Sequence, residues 1–124
     1  MSFQSDFHQK LVSVLGIAVY PIVIPEQETG DAVLYITQGG SRSSESNLKN
    51  SNIRIRNVRI FIVTNSALKN VNYGDTLYSA MEGFGGLMGA TQVMYCRVDN
   101  EIDLYNNTQK TYEKTIDLEF KILE

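Results

Sequence analysis

The pattern of apolar and polar positions is clearest at the end of the chain. From Tyr112 to Ile122, one parity carries Tyr112, Lys114, Ile116, Leu118, Phe120 and Ile122, and the other carries Glu113, Thr115, Asp117, Glu119 and Lys121. Period two predicts a strand with one apolar and one charged face. Upstream, Phe7, Leu11, Val12 and Leu15 recur at helical spacing, so residues 5–15 read as a helix, with Ser5 or Asp6 as cap and Gly16 as stop. The run "IAVYPIVIP" carries two prolines and reads as extended, at an edge or in a crossing segment. "DAVLYIT" (31–37) reads as a buried strand.

Between Gln38 and Asn52 Leu48 is alone among Gly, Ser and charged residues, so residues 38–52 are expected to form a mobile loop. "NIRIRNVRIFIVT" is the most strand-like segment, but Ile53 and Ile55 share one parity while Val58, Ile60 and Ile62 share the other. That flip near Asn57 predicts a bulge or a bent strand. Residues 66–82 place Ala67, Leu68, Val71, Leu77, Tyr78 and Met81 on one helical stripe behind a Ser66 cap, with Gly74 weakening the middle. "GFGGLMG" (83–89) stops that helix. "TQVMYCRV" is a strand, and the acidic stretch after it reads as turns, with a short strand at 102–105.

The expected fold class is therefore α+β: one domain with a mixed, mainly antiparallel sheet and two helices packed on one face. The apolar side of the closing strand is expected to lie under the 66–82 helix, with its charged side outward.

Length and composition narrow the picture. The chain has 124 residues, enough for one core. An apolar content of 43%, a charged content of 20% and a net charge of −3 are those of an ordinary globular domain with no bulk attraction for nucleic acid or anionic membrane. The lone Cys96 excludes an internal disulfide and fits a reducing compartment. No apolar run approaches the roughly 20 residues of a membrane span, and "MSFQSDFHQKL" has no signal-peptide pattern, so a soluble cytoplasmic product is expected.

Candidate chemistry is sparse. His8 is alone and reads as a surface helix residue, so no nucleophile–base set can be assembled from sequence. Cys96 reads as a buried small hydrophobe. "GFGGLMG" runs from helix into strand, opposite to phosphate-binding loops, and has no Lys-Ser/Thr after it. Asp99, Glu101 and Asp103 lack the Gly and the distal Glu of a calcium loop and read as a solvated turn. No catalytic residue, cofactor or metal site is expected. The basic row Arg54, Arg56 and Arg59, with Arg42 and Lys49 from the loop, has no interleaved aromatic residues, which argues against nucleic-acid recognition. It suits a subunit or tube interface.

Three stretches carry a resemblance that spans nearly the whole chain. "VYPIVIPEQETGDAVLYIT" places an apolar-Tyr-Pro piece and a polar linker before a strand. "RIFIVTNSALKNVNYGDTLYSAMEG" is a strand running into a helix that begins with Ala. "DLYNNTQKTYEKTIDLEFKI" is an acidic-Tyr lead-in, a polar turn and an alternating Leu-x-Phe strand. Together they resemble the bacteriophage tail terminator (tail completion) family, which includes the lambda-type minor tail protein U. The chain departs from that pattern at Gly30, where many relatives carry Pro, and in the glycine-rich 83–89 stretch.

The resemblance implies a single tail-terminator-like domain over 1–124 and a structural role. Subunits would form a homo-oligomeric ring, usually of six, that caps the tail tube, stops its polymerisation and meets the head–tail connector protein. The product would reside in the virion tail or neck after assembly in the host cytoplasm. A connector or stopper subunit and a small ligand-binding α+β domain are the alternatives, and an enzyme is disfavoured by the sparse chemistry.

Overall fold

A computed structural model describes residues 3–22, 30–42 and 53–123, with residues 38–42 as backbone only. Its elements are α1 (Phe3–Leu15), β1 (Ala18–Pro21), β2 (Ala32–Arg42), β3 (Ile53–Thr64), α2 (Ala67–Met81), β4 (Gly86–Met88), β5 (Thr91–Asn106) and β6 (Thr111–Leu123). The strands form one sheet in the order β1-β2-β3-β6-β5-β4. The sheet is mixed: β1 pairs with β2 in parallel, and the other four pairings are antiparallel. The fold is α+β in a single domain.

β6 is central, between β3 and β5, because its unbroken alternation gives both neighbours a full ladder. Its apolar parity builds the core: Ile116, Leu118, Phe120 and Ile122 are buried with Val58, Ile60 and Ile62 of β3 and Val33 and Tyr35 of β2. Both helices join that one cluster, α1 through Phe3, Phe7, Leu11 and Leu15, and α2 through Leu77 and Met81. The rings closing over Phe120 come from α1. Phe3 and Phe7 meet it edge-on at 5.2 and 5.5 Å, and Phe7 meets Tyr35 at 5.5 Å. The expectation that α2 covers the apolar side of β6 at Phe120 is thus corrected, since α1 does so.

α1 begins at Phe3, so Ser5 and Asp6 lie inside it rather than capping it. Asp6 is buried and accepts a hydrogen bond from Thr91 Oγ1 at 2.6 Å, which ties α1 to the start of β5. Gly16 ends the helix with φ +68°, its N–H donating to the Val12 carbonyl at 3.0 Å.

α2 starts on the expected Ser66 cap, whose hydroxyl accepts from the Lys69 N–H. Its buried stripe differs from the expected one: it is Asn70, Gly74, Leu77 and Met81. Asn70 Nδ2 donates to the Ile62 and Tyr112 carbonyls, each at 3.1 Å, and pins the helix to the ends of β3 and β6. Gly74 admits the Lys114 stem, since a Cβ there would lie 2.5 Å from Lys114 Cε. Leu68, Val71 and Tyr78 are consequently turned outward and exposed.

The strands also exceed expectation. β2 continues to Arg42, so residues 38–42, expected as loop, are strand, with Gly40, Ser41 and Arg42 paired to β3; residues 43–52 lie outside the described ones. Backbone pairing with β3 holds this Gly/Ser segment whatever its side chains. The bulge expected near Asn57 lies across from it: Thr37 and Gly40 pair with Val58 and Arg56, while the β3–β6 register runs without a shift. The acidic stretch, expected as turns around a short strand at 102–105, is strand throughout: it is the distal half of a continuous β5, bent by register shifts at 93/95 and 98/100 and held by β6. "GFGGLMG" does stop α2, but it also contributes the short β4.

Candidate functional site

Strand parity separates the expected basic row. Arg54 and Arg56 share the parity of Val58 and Ile60 and lie on the helix side of the sheet. Arg59 lies on the opposite face. Arg42 pairs with Arg54 across β2 and β3, and Lys49 lies outside the described residues. The five residues therefore do not form one patch. Three occupy one end of the sheet, in rows that continue through Ile122 and Phe120 of β6.

Around that end, the α1 side chains make two adjoining recesses. Arg56, Phe3, Gln4 and Thr37 line one of about 170 Å³, with the Arg56 guanidinium 5.8 Å from the Phe3 ring. Gln4, Ser5, His8, Gln9 and Tyr35 line an open groove of about 310 Å³. His8 is not a bare surface residue. Its Nδ1 lies 3.0 Å from the Tyr35 hydroxyl, whose pKa burial pushes up and Gln4 draws back.

The face opposite the helices carries a lattice of paired charges. Arg59 forks onto Asp117, its strand-to-strand partner, at 2.8 and 3.2 Å, and the carboxylate raises the guanidinium pKa. Glu119 lies 3.4 Å from Arg97 and accepts from the Tyr95 hydroxyl at 3.1 Å, and Arg97 also pairs with Asp99 at 2.9 Å. Such half-exposed pairs add little stability each. Their value is in fixing the pattern of charge that a partner surface would meet.

Exposed apolar side chains include two further groups. Leu68, Val71 and Tyr78 form a stripe on α2, with Leu68 70% exposed. Ile102, Leu104 and Tyr105 lie on the distal half of β5, at 45%, 56% and 49% exposure. A sheet edge bearing such residues invites pairing with another chain. The sequence signal for both was present in the spacing of these residues, but it reads equally well as core.

The groups with reactive potential are quenched or dispersed. Cys96 is fully buried, and burial, followed by Glu82, Asp99 and Glu119, pushes its thiol up to about 12, so it holds no thiolate at neutral pH. Asp99 pairs with Arg97 while Asp103 pairs with Lys114 at 2.6 Å, so the three carboxylates do not converge. Among the described residues, no group of three or more His, Cys, Asp or Glu is placed to hold a metal ion. No described helix is long and apolar enough to cross a membrane.

No family model matches the chain, and no curated protein matches it. Solved structures do. One chain of a structure described as "Virion of native gene transfer agent (GTA) particle" superposes with a TM-score of 0.72 over 99% of this chain and 96% of that one, at 13% identity. At that identity the likeness is one of fold, and it extends over essentially the whole of both chains.

Proposed function

We propose that this chain is a structural subunit of a phage-like particle, working as a ring that caps the tail tube, stops its polymerisation and joins it to the head connector. The observation that carries the reading is the end-to-end likeness of fold to a chain of a gene transfer agent virion. The tail-terminator resemblance of the three sequence stretches supplies the finer role. The surface agrees with it: an exposed α2 stripe, a charge-patterned sheet face and strand edges open to pairing suit a subunit that meets several neighbours. The reading assigns the chain no catalysis and no cofactor. Its partners are further copies of itself, six in the expected ring, the tail tube protein and the connector protein.

The test is tube growth in vitro. Purified tail tube protein polymerises with and without this chain, and tube lengths are measured by electron microscopy. Capping predicts short tubes with density at one end. Tubes of unchanged length and bare ends would refute the terminator role. A second reading, a small ligand-binding domain, has the His8–Tyr35 groove in its favour. It predicts a monomer that leaves tube length unchanged.

A further inference from the structure

Among the described residues the sheet is open at two diagonal corners, one holding Glu101 of β5 and the other ending on Arg42 of β2. On one side, β4 covers β5 only over Thr91–Val93. The Gly83 N–H to the Cys96 carbonyl at 2.8 Å and the Val98 N–H to Glu82 Oε1 at 3.3 Å extend that cover to Val98. From Asp99 to Asn106, β5 pairs with β6 alone among the described residues. On the other side, β1 covers β2 over Ala32–Tyr35. From Ile36 to Arg42, β2 pairs with β3 alone among the described residues.

The register places these free stretches. One end of the sheet is the row Ala32, Val63, Glu113, Leu104, and the other is Arg42, Arg54, Ile122, Val93. The free part of β5 therefore lies at one end and one side, and the free part of β2 lies at the opposite end and the opposite side. The β5 stretch carries Asp99, Glu101 and Asp103 together with exposed Ile102 and Leu104. The β2 stretch ends on Arg42, in rows shared with Arg54 and Arg56. Their lengths match, eight residues (99–106) against seven (36–42).

We propose that the acidic free edge of β5, Asp99–Asn106, is continued by the basic free edge of β2, Ile36–Arg42, of a second copy of this chain. The polarity permits it. Following the antiparallel pairings from β2 through β3 and β6 to β5, β2 and β5 run in opposite directions. Copies related by a rotation that keeps the helices on one side then place the two edges antiparallel, the stronger ladder geometry. Each copy presents one edge and receives the other, so the contact is heterologous, the type of interface from which a closed ring is built. The proposal rests on the ring reading above and names the contact that closes it.

Cross-linking tests it on the full chain. Glu101→Cys and Ser41→Cys each place one thiol on the strand stretch in question, and buried Cys96 does not compete. Each variant is first checked for a wild-type unfolding midpoint. A short bis-maleimide is then added, with the mass of the uncross-linked protein measured in parallel. The expected result is a covalent dimer from the 1:1 mixture, a ladder up to the ring from the double variant, and monomer from either variant alone. Glu101→Lys should weaken association about tenfold, and Arg42→Glu in the same chain should restore it. Cross-linking of Glu101→Cys to itself would overturn the proposal in favour of a symmetric dimer. Oligomers in solution without any 41–101 cross-link would overturn it and leave the ring reading standing. A strict monomer with no cross-link at any concentration would overturn both.

Discussion

Asn70 is the residue on which the seating of α2 depends. Its side chain is 4% exposed, and its one amide nitrogen donates to two carbonyls, Ile62 of β3 and Tyr112 of β6, each at 3.1 Å. Asn70→Ala removes both donors and leaves one buried and one part-buried acceptor without them. One net hydrogen bond contributes about 1 kcal/mol, and an unsatisfied buried group costs about 1–3 kcal/mol. The expected loss is therefore about 2–4 kcal/mol, out of roughly 5–15 kcal/mol for a domain of this size. Asn70→Asp keeps the shape but turns the donor into an acceptor. When ionised, its carboxylate faces two carbonyl oxygens and is disfavoured by burial and repulsion alike, so its folded-state pKa rises above the unfolded value of about 3.9. A raised folded pKa means stability that is present below the unfolded pKa and is lost as pH rises. Asn70→Asp should therefore resemble Asn70→Ala near pH 4 and become the weaker of the two at pH 8. Urea unfolding followed by circular dichroism, at one fixed protein concentration, reads both effects. An Asn70→Ala variant within about 0.5 kcal/mol of wild type, inside the range of ordinary surface substitutions, would refute the clamp.

Phe120→Ala removes a fully buried ring from its edge contacts with Phe3 and Phe7. A loss of about 3–5 kcal/mol is expected by urea unfolding, and a near-neutral result would mean that β6 does not meet α1 there. Cys96, with its thiol pushed up to about 12, should resist an aromatic disulfide reagent at pH 8 in the folded chain and react once urea unfolds it; rapid reaction in the folded state would contradict its burial. Leu68→Lys, on the exposed stripe of α2, should leave the unfolding free energy within about 0.5 kcal/mol of wild type. It should also lower the capping of tail tubes; capping at wild-type level would remove that stripe from the interface.

The parts of the fold legible in the sequence are those where one physical term dominates. The alternation of β6, the 3.6-residue recurrence in α1 and the Ser66 cap each follow from burial or capping within one element, and each stands in the structure. The parts that were not legible depend on a partner element. Asn70 and Gly74 read as weak helix residues, yet they are buried because two strand carbonyls and the Lys114 stem meet them. Asp99–Asn106 reads as turns with only a short strand at 102–105, yet β6 supplies a ladder that holds the whole stretch extended. The bulge belongs to β2, where the Gln38–Gly39 step takes up the extra residue, while β3 keeps an unbroken register with β6.

The candidate site shows the same division. The basic residues were visible as a row, but strand parity places Arg59 on the face opposite Arg54 and Arg56, where Asp117 pairs with it. The open edges of β2 and β5 could not be read from one chain's pattern, because an edge is defined by which strand is missing beside it.

The central claim is that copies of this chain assemble into a ring that seats on a tail tube. Its most direct test is the mass of the purified protein in solution, measured by sedimentation across a wide concentration range and again with tail tube protein present. The account predicts a closed oligomer, with six copies expected, that forms at high concentration or on the tube end and stops there without growing into filaments. A chain that stays monomeric throughout, with and without tube protein, would contradict it.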